Sequence, residues 1–175
     1  MVRPTLPPDS WSAGRRRLLT ALGAFVLVSR PFVGRAADVG KRIEWTDVQV
    51  LDGRVLNATQ LRGRVVVVEF WASWCPFCKR QNPLLQQLYE AHGHRGLEVL
   101  TFSIDKEPAK ARAYVAENAY TFPAAMADSA LARQFEPRAG VPGLYVVGAD
   151  GRIVFRESRE MFPEDVRALA RFARS

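Results

Sequence analysis

The sequence predicts an α/β domain with a central β-sheet flanked by helices. A continuous apolar run over residues 65–71 is typical of a strand that is buried on both faces of a sheet. A helical pattern follows it, and the apolar run Leu97–Ile104 then predicts a second central strand. Because strands joined through a helix pair in parallel by a right-handed crossover, these two runs are expected to form the middle of the sheet.

The other elements are predicted in order around these two strands. Asp52-Gly53 is a strong turn signal and indicates an N-terminal β-hairpin. Pro83 falls inside the first long helix and is expected to kink it. The predicted elements are the hairpin strands Trp45–Leu51 and Arg54–Leu56, the helix after Cys75, a helix over Pro108–Asn118, a strand over Phe122–Met126, a helix over Ala130–Phe135, strands over Leu144–Val147 and Arg152–Arg156, and a closing helix from Pro163 to about Phe172.

Residues 1–36 are predicted to be a targeting segment ahead of a domain over residues 38–175. Arg15-Arg16-Arg17 precedes the apolar stretch Leu18–Val28, and small residues follow, as in secretory signals. The stretch is short for a membrane span, which needs about 20 residues. A Sec signal peptide, a twin-arginine signal and an uncleaved N-terminal membrane anchor stay open. Each of them would place the domain in an extracytoplasmic space that permits disulfides.

The net charge of +7 does not indicate a nucleic-acid-binding protein. Residues 1–36 contain six Arg and one Asp, whereas from Ala37 onward 19 Lys and Arg stand against 17 Asp and Glu. That part has no basic block with interleaved aromatic residues. We therefore expect no nucleic-acid partner.

Both cysteines of the chain, Cys75 and Cys78, lie at the junction between the first buried strand and the following helix. At the start of a helix, unpaired N–H groups and the helix dipole favour an anion, so Cys75 is expected to be the thiolate nucleophile. Cys78 lies on the same helical face and can form a disulfide with Cys75. Pro76 suits the first turn because it has no N–H to leave unpaired. The spacing predicts thiol–disulfide exchange through a mixed disulfide on Cys75 that Cys78 resolves.

Two other uses of a Cys-x-x-Cys pair are disfavoured. A zinc half-site needs a second pair of ligands, but there is no further cysteine, and the only histidines, His92 and His94, share one turn. A structural disulfide across two residues closes too short a loop to stabilise the fold much. We expect neither a metal site nor a bound cofactor.

The stretch RGRVVVVEFWASWCPFCKRQNPLLQQL, residues 62–88, resembles the thioredoxin superfamily, and within it the TlpA/ResA/DsbE-type thiol:disulfide interchange proteins of the bacterial cell envelope. The resemblance extends from about Val48 to the end of the chain. It implies a thioredoxin-like fold in which Phe122–Phe135 is a strand–helix insertion. It also implies a periplasmic enzyme that reduces disulfides in exported proteins with electrons from a membrane dithiol donor. Apocytochrome c, during cytochrome c maturation, is the substrate that this resemblance suggests.

The resemblance assigns roles to residues around the cysteine pair. Pro142 matches the cis-proline that faces the disulfide, and the backbone of Val141 would pair with an extended substrate peptide. Glu69 lies where thioredoxin has a buried aspartate beneath the second cysteine. Burial in this apolar strand would raise the pKa of Glu69 and let it accept the Cys78 proton. A Glu69 carboxylate that reaches solvent or pairs with an arginine is the alternative.

The remaining expectations concern the docking surface and the competing functions. Trp74 is expected to be half-exposed at the surface where substrates dock, Pro76 and Phe77 to present an apolar face there, and Trp71 to pack in the core.

The same chemistry run in reverse, as a dithiol oxidase or isomerase, stays open. A copper-delivery protein on this scaffold would have three residues between its cysteines and a distant histidine. A peroxiredoxin-like peroxidase would have a Thr-x-x-Cys motif, which Cys75 lacks.

Overall fold

The computed structural model describes residues 39–93, 95–135 and 140–174. The predicted targeting segment, residues 1–36, lies outside the described residues. Within the described part, none of the helices combines the length and the apolar character that a membrane span requires.

A five-stranded mixed sheet forms the centre of the domain, as the sequence predicts. Helices precede, connect and follow its strands, and a separate two-stranded hairpin precedes it. The strands are β1 (Val48–Gln49) and β2 (Val55–Leu56) of the hairpin, then β3 (Val65–Trp71), β4 (Leu97–Ser103), β5 (Ala124–Met126), β6 (Gly143–Val147) and β7 (Ile153–Glu157). The helices are α1 (Ala58–Leu61), α2 (Pro76–His92), α3 (Pro108–Glu117) and α4 (Pro163–Ala168), with 3-10 turns at Ala132–Gln134 and Leu169–Arg174.

The strand order is β5-β4-β3-β6-β7, so the valine-rich strand β3 lies at the centre. It pairs in parallel with β4 and antiparallel with β6. Every residue of β3 is buried because both faces of the sheet are covered. Val65, Val67 and Trp71 face a cluster that includes α2, whereas Val66, Val68 and Phe70 face a second cluster on the other side. Each such fully buried side chain contributes about 1.5–3 kcal/mol.

Several predicted elements are shorter than the sequence suggests. The hairpin is confirmed, but its strands contain two residues each. The predicted helix over Ala130–Phe135 is reduced to a 3-10 turn, because the N–H groups of Gln134 and Phe135 bond to carbonyl oxygens three residues back, at Leu131 and Ala132. The closing α-helix ends at Ala168 and continues as a 3-10 helix. Helix α2 continues through Pro83, and the kink expected there stays a prediction.

Helix α1 was not predicted from the sequence. The Asn57 N–H donates to Gln60 Oε1 at 2.8 Å, and the Ala58 N–H donates to Asp47 Oδ1 at 2.7 Å. These bonds satisfy N–H groups that the start of a helix leaves unpaired. The Asn-x-x-Gln spacing is a capping signal and could have identified this turn.

Candidate active site

The two cysteines lie at the start of α2, where the sequence places them. Cys75 is the residue before the helix, with an extended backbone, and Pro76 occupies the first turn. The Cys78 N–H donates a hydrogen bond to Cys75 Sγ at 3.2 Å. The sulfur thus satisfies one of the unpaired N–H groups, as a capping side chain does. The positive end of the helix dipole and this N–H group both lie against Cys75 Sγ.

The pair is present as two free thiols with different environments. Cys75 is 2% exposed and Cys78 is completely buried. Burial raises the pKa of Cys78 well above the ordinary thiol range, and the neighbouring Cys75 and Glu69 raise it further. Cys78 therefore stays protonated at neutral pH.

The loop before β6 faces Cys75. The Val141–Pro142 peptide bond is cis, as the resemblance implies. The Cys75 thiol donates to the Val141 carbonyl oxygen at 3.5 Å. Pro142 is buried and Val141 is half-buried, and the structure brings this loop against Cys75.

An apolar surface surrounds this point of contact. Trp74 is 65% exposed, more than the half expected, and Phe77 is 50% exposed, while Trp71 is buried as expected. Pro76 is also exposed. A cleft of about 340 Å³ opens beside Phe77 and is lined by Phe77, Val141, Pro142, Ser158, Arg159 and Glu160.

A buried aspartate that sequence reasoning missed holds the turn ahead of Cys75. Asp105 Oδ2 accepts from the Ser73 N–H at 3.0 Å and from Ser103 Oγ at 2.7 Å, and Oδ1 accepts from Ser73 Oγ at 2.8 Å. Asp105 follows β4 and Ser73 follows the neighbouring parallel strand β3. Polar residues directly after two adjacent parallel strands meet at one sheet edge, and this was the available signal. Asp105 positions the turn that carries Trp74.

Glu69 lies in the middle of the central strand and is completely buried. Gln81 Nε2 donates to Glu69 Oε1 at 2.8 Å. Asn82, with its amide nitrogen turned toward these acceptors, donates to Glu69 Oε2 at 2.8 Å and to the Cys78 carbonyl oxygen at 3.2 Å. The alternative of a solvent-exposed or arginine-paired carboxylate is therefore wrong. Both amides come from α2, and sequence reasoning identified neither of them.

Burial raises the pKa of Glu69 to about 8, although the hydrogen bond from Gln81 opposes this rise. A carboxyl group with this pKa can accept and release a proton near neutral pH. Glu69 also raises the pKa of Cys78, and Asn82 bonds both to Glu69 and to the Cys78 carbonyl oxygen, so the carboxyl group lies beneath the turn that carries this thiol. The site can therefore couple proton transfer at Glu69 to a reaction of the Cys78 thiol.

The potential metal ligands do not converge. His92 is half-buried near the far end of α2, and His94 lies outside the described residues. Among residues 39–93, 95–135 and 140–174, no three His, Cys, Asp or Glu side chains come close enough together to hold a metal ion.

A cysteine that caps a helix, a buried partner thiol and a facing cis-proline define a redox site of the thioredoxin type. The model of the AhpC/TSA family matches residues 39–156, and the chain belongs to this family. A thiol-disulfide oxidoreductase ResA from Bacillus cereus is 23% identical over 116 residues, which are 66% of this chain and 67% of that protein.

Solved structures support the same fold. A thiol:disulfide interchange protein of the thioredoxin family from Chlorobium tepidum has a TM-score of 0.71 at 20% identity and covers 78% of this chain and 97% of its own. A secreted Mycobacterium tuberculosis disulfide oxidoreductase homologous to E. coli DsbE has a TM-score of 0.61 at 19% identity, covering 71% and 92%. The predicted thioredoxin-like fold and thiol:disulfide oxidoreductase class are confirmed.

Proposed function

We propose that this oxidoreductase works outside the cytoplasm and reduces disulfides in exported proteins, with Cys75 as the nucleophile and Cys78 as the resolving thiol. The contrast between the two thiols supports this assignment most strongly. Cys75 touches the Val141 carbonyl beside the open cleft, whereas Cys78 is completely buried near a carboxyl group. Only Cys75 borders the surface where a substrate disulfide can arrive.

The reaction has two exchange steps. The Cys75 thiolate attacks one sulfur of the substrate disulfide, which breaks the S–S bond and releases the other sulfur as a thiolate. Cys78 then transfers its proton to the Glu69 carboxylate and attacks Cys75 Sγ, which releases the second substrate sulfur. That sulfur takes up the proton from Glu69. Two electrons pass from the cysteine pair to the substrate, and the pair becomes a disulfide.

The surface around Cys75 suits an unfolded or extended segment of a protein. Trp74, Pro76 and Phe77 offer an apolar face, and the Val141 backbone can pair with an extended chain as an added strand. Such contacts are made largely with backbone and apolar groups. They suit a range of exported proteins, among which apocytochrome c is the candidate that the family resemblance indicates.

The environment of Cys78 favours the reducing direction. Burial and the neighbouring Glu69 raise the pKa of Cys78, so its thiolate does not stabilise the reduced pair, and a pair whose reduced form is less stable is a stronger reductant. Reduction of the oxidised protein then requires a donor, for which we propose a membrane dithiol. The secreted relative and the arginine-rich segment before Leu18 support an extracytoplasmic location.

The reduction potential of the Cys75–Cys78 pair tests the direction, by equilibration with glutathione or dithiothreitol. We expect a value near about −270 mV, as for thioredoxin. A value near about −120 mV would instead identify an oxidant that makes disulfides. Copper titration of the reduced protein tests the copper-delivery alternative, for which stoichiometric binding by both thiols would be required.

A further inference from the structure

The loop that lines the cleft is attached to α2 at two consecutive positions. We name residues 158–162, between β7 and α4, the docking loop. On the outside, Arg80 donates to both carboxylate oxygens of Glu160, at 2.7 and 2.6 Å. On the inside, the Met161 N–H donates to Gln81 Oε1 at 2.7 Å. Neighbouring residues of the helix therefore hold neighbouring residues of the loop.

The inner contact determines which way the Gln81 amide faces. A backbone N–H can only donate, so the oxygen of Gln81 must point to Met161. The amide nitrogen must then point the other way, and it donates to Glu69 Oε1 at 2.8 Å. Gln81 is completely buried, so water does not compete for either contact. The docking loop thus ensures that Glu69 meets a donor, which favours its carboxylate form.

We propose that Gln81 is a positioning residue that couples the ionisation of Glu69 to the docking loop. While the loop is in place, the Gln81 amide is held with its donor toward the base that takes the Cys78 proton. When the loop moves away, the amide is free to turn its oxygen toward Glu69, which disfavours the carboxylate. A substrate that holds the docking loop in place therefore favours the ionised form of Glu69. Because such coupling is reciprocal, the ionised form of Glu69 also favours the loop in this position. This inference rests on the proposed function, since it concerns the base of the same exchange reaction.

Among the residues that the structure describes, few other titratable groups surround Glu69. Cys75 precedes α2 and Cys78 lies in it, while Tyr114 from α3 and Tyr120 after it interact with Cys78 and Glu69 respectively. The strand partners of Glu69 are Thr101 on β4 and Leu144 on β6, neither of which titrates near neutral pH. The charged side chains of α4 that the structure describes are exposed: Glu164, Asp165 and Arg167. If the ionisation of Glu69 changes when Gln81 is replaced, the loss of the hydrogen bond from Gln81 is therefore the direct cause.

The test compares Gln81→Met with Gln86→Met. Gln86 is a matched control because it is a buried glutamine on the same helix, but its amide bonds to Thr121 and Glu90 instead. The pH at which Glu69 is half-ionised is read from its carboxyl band by infrared difference spectroscopy, with Glu69→Gln as the blank. We expect Gln81→Met to raise this midpoint by about one pH unit, as for the loss of a hydrogen bond to a charged group. Gln86→Met should leave it unchanged.

A second variant keeps the inference testable if Gln81→Met folds poorly. In Gln81→Glu, one carboxyl oxygen can still accept from Met161, and the other then faces Glu69. Two facing carboxyl groups share a proton, so the midpoint should rise further than in Gln81→Met. An unchanged midpoint in both Gln81 variants, or an equal rise in Gln86→Met, would overturn the inference. The infrared midpoint needs no substrate, so an absence of disulfide exchange by the unmodified protein would refute the proposed function separately.

Discussion

The buried carboxyl group of Glu69 makes the stability of this protein depend on pH. Its pKa is about 8 in the native state, against an ordinary value of 4.5. Between these two pH values the unfolded chain has released the proton that the native state still holds, so the free energy of unfolding falls as pH rises. Below about 4.5 both states are protonated and the effect is absent. Above about 8 both are ionised and the loss is complete.

The size of the Glu69 pKa shift determines how much the free energy of unfolding falls. At 1.36 kcal/mol per pH unit, moving a pKa from 4.5 to about 8 corresponds to about 5 kcal/mol. This is a large part of the 5–15 kcal/mol that typical domains have. Glu69→Gln keeps the shape of the side chain but cannot ionise, so it removes this term. Its disturbed hydrogen bonds cost about 1 kcal/mol, equally at every pH.

Urea unfolding of the reduced protein between about pH 4 and pH 9 measures this effect. As pH rises, we expect the free energy of unfolding of Glu69→Gln to increase by several kcal/mol relative to that of the unmodified protein. Asp52→Asn is the control. Asp52 pairs with Arg54 in the hairpin turn, away from the docking loop, and its pKa is lowered, so its smaller contribution has the opposite sign and changes at acidic pH. Parallel stability curves for Glu69→Gln and the unmodified protein would refute the assignment of a raised pKa to Glu69.

Three further predictions concern the reaction and its supports. Cys78→Ser is expected to accumulate substrate proteins as covalent adducts on non-reducing gels, while Cys75→Ser accumulates none; equal trapping by both would contradict their assignment. The resolution rate of a mixed disulfide, followed by stopped flow between about pH 6 and 9, should rise toward pH 8 and fall about 100-fold in Glu69→Gln, whereas a flat profile in the unmodified protein would remove Glu69 from the mechanism. Asp105→Ala loses three hydrogen bonds beside Trp74 and should destabilise the protein by about 2–3 kcal/mol in urea, and a loss under about 0.5 kcal/mol would show that the bonds contribute little.

The sequence predicted the structure best where several neighbouring residues carried the same signal. The apolar run of β3 and the matching run of β4 identified the centre of the sheet, because only a strand covered on both faces tolerates so many apolar residues. The cysteine spacing and Pro76 identified the start of α2. The short elements were predicted less well. Over Ala130–Phe135 the local pattern could not show that tertiary contacts would leave only a 3-10 turn.

The partners of the site residues were beyond local reasoning. Glu69 was recognised as unusual, but its burial depends on how α2 packs over β3. Asp105 and Ser73 are 32 positions apart in the chain, and Gln81 and Met161 are 80 apart. The pairing of such residues depends on strand order and helix packing, which no local pattern encodes.

The sequence alone thus determined that the cysteine pair lies where a buried strand gives way to a helix, because strand, helix start and cysteine spacing are all encoded within a few residues. The tertiary structure decided that Cys78 and Glu69 share a buried environment, and that the docking loop orients the amide between that environment and the substrate cleft. The physical reason is that burial and hydrogen bonding, which set the pKa of a group, depend on neighbours brought together only by folding.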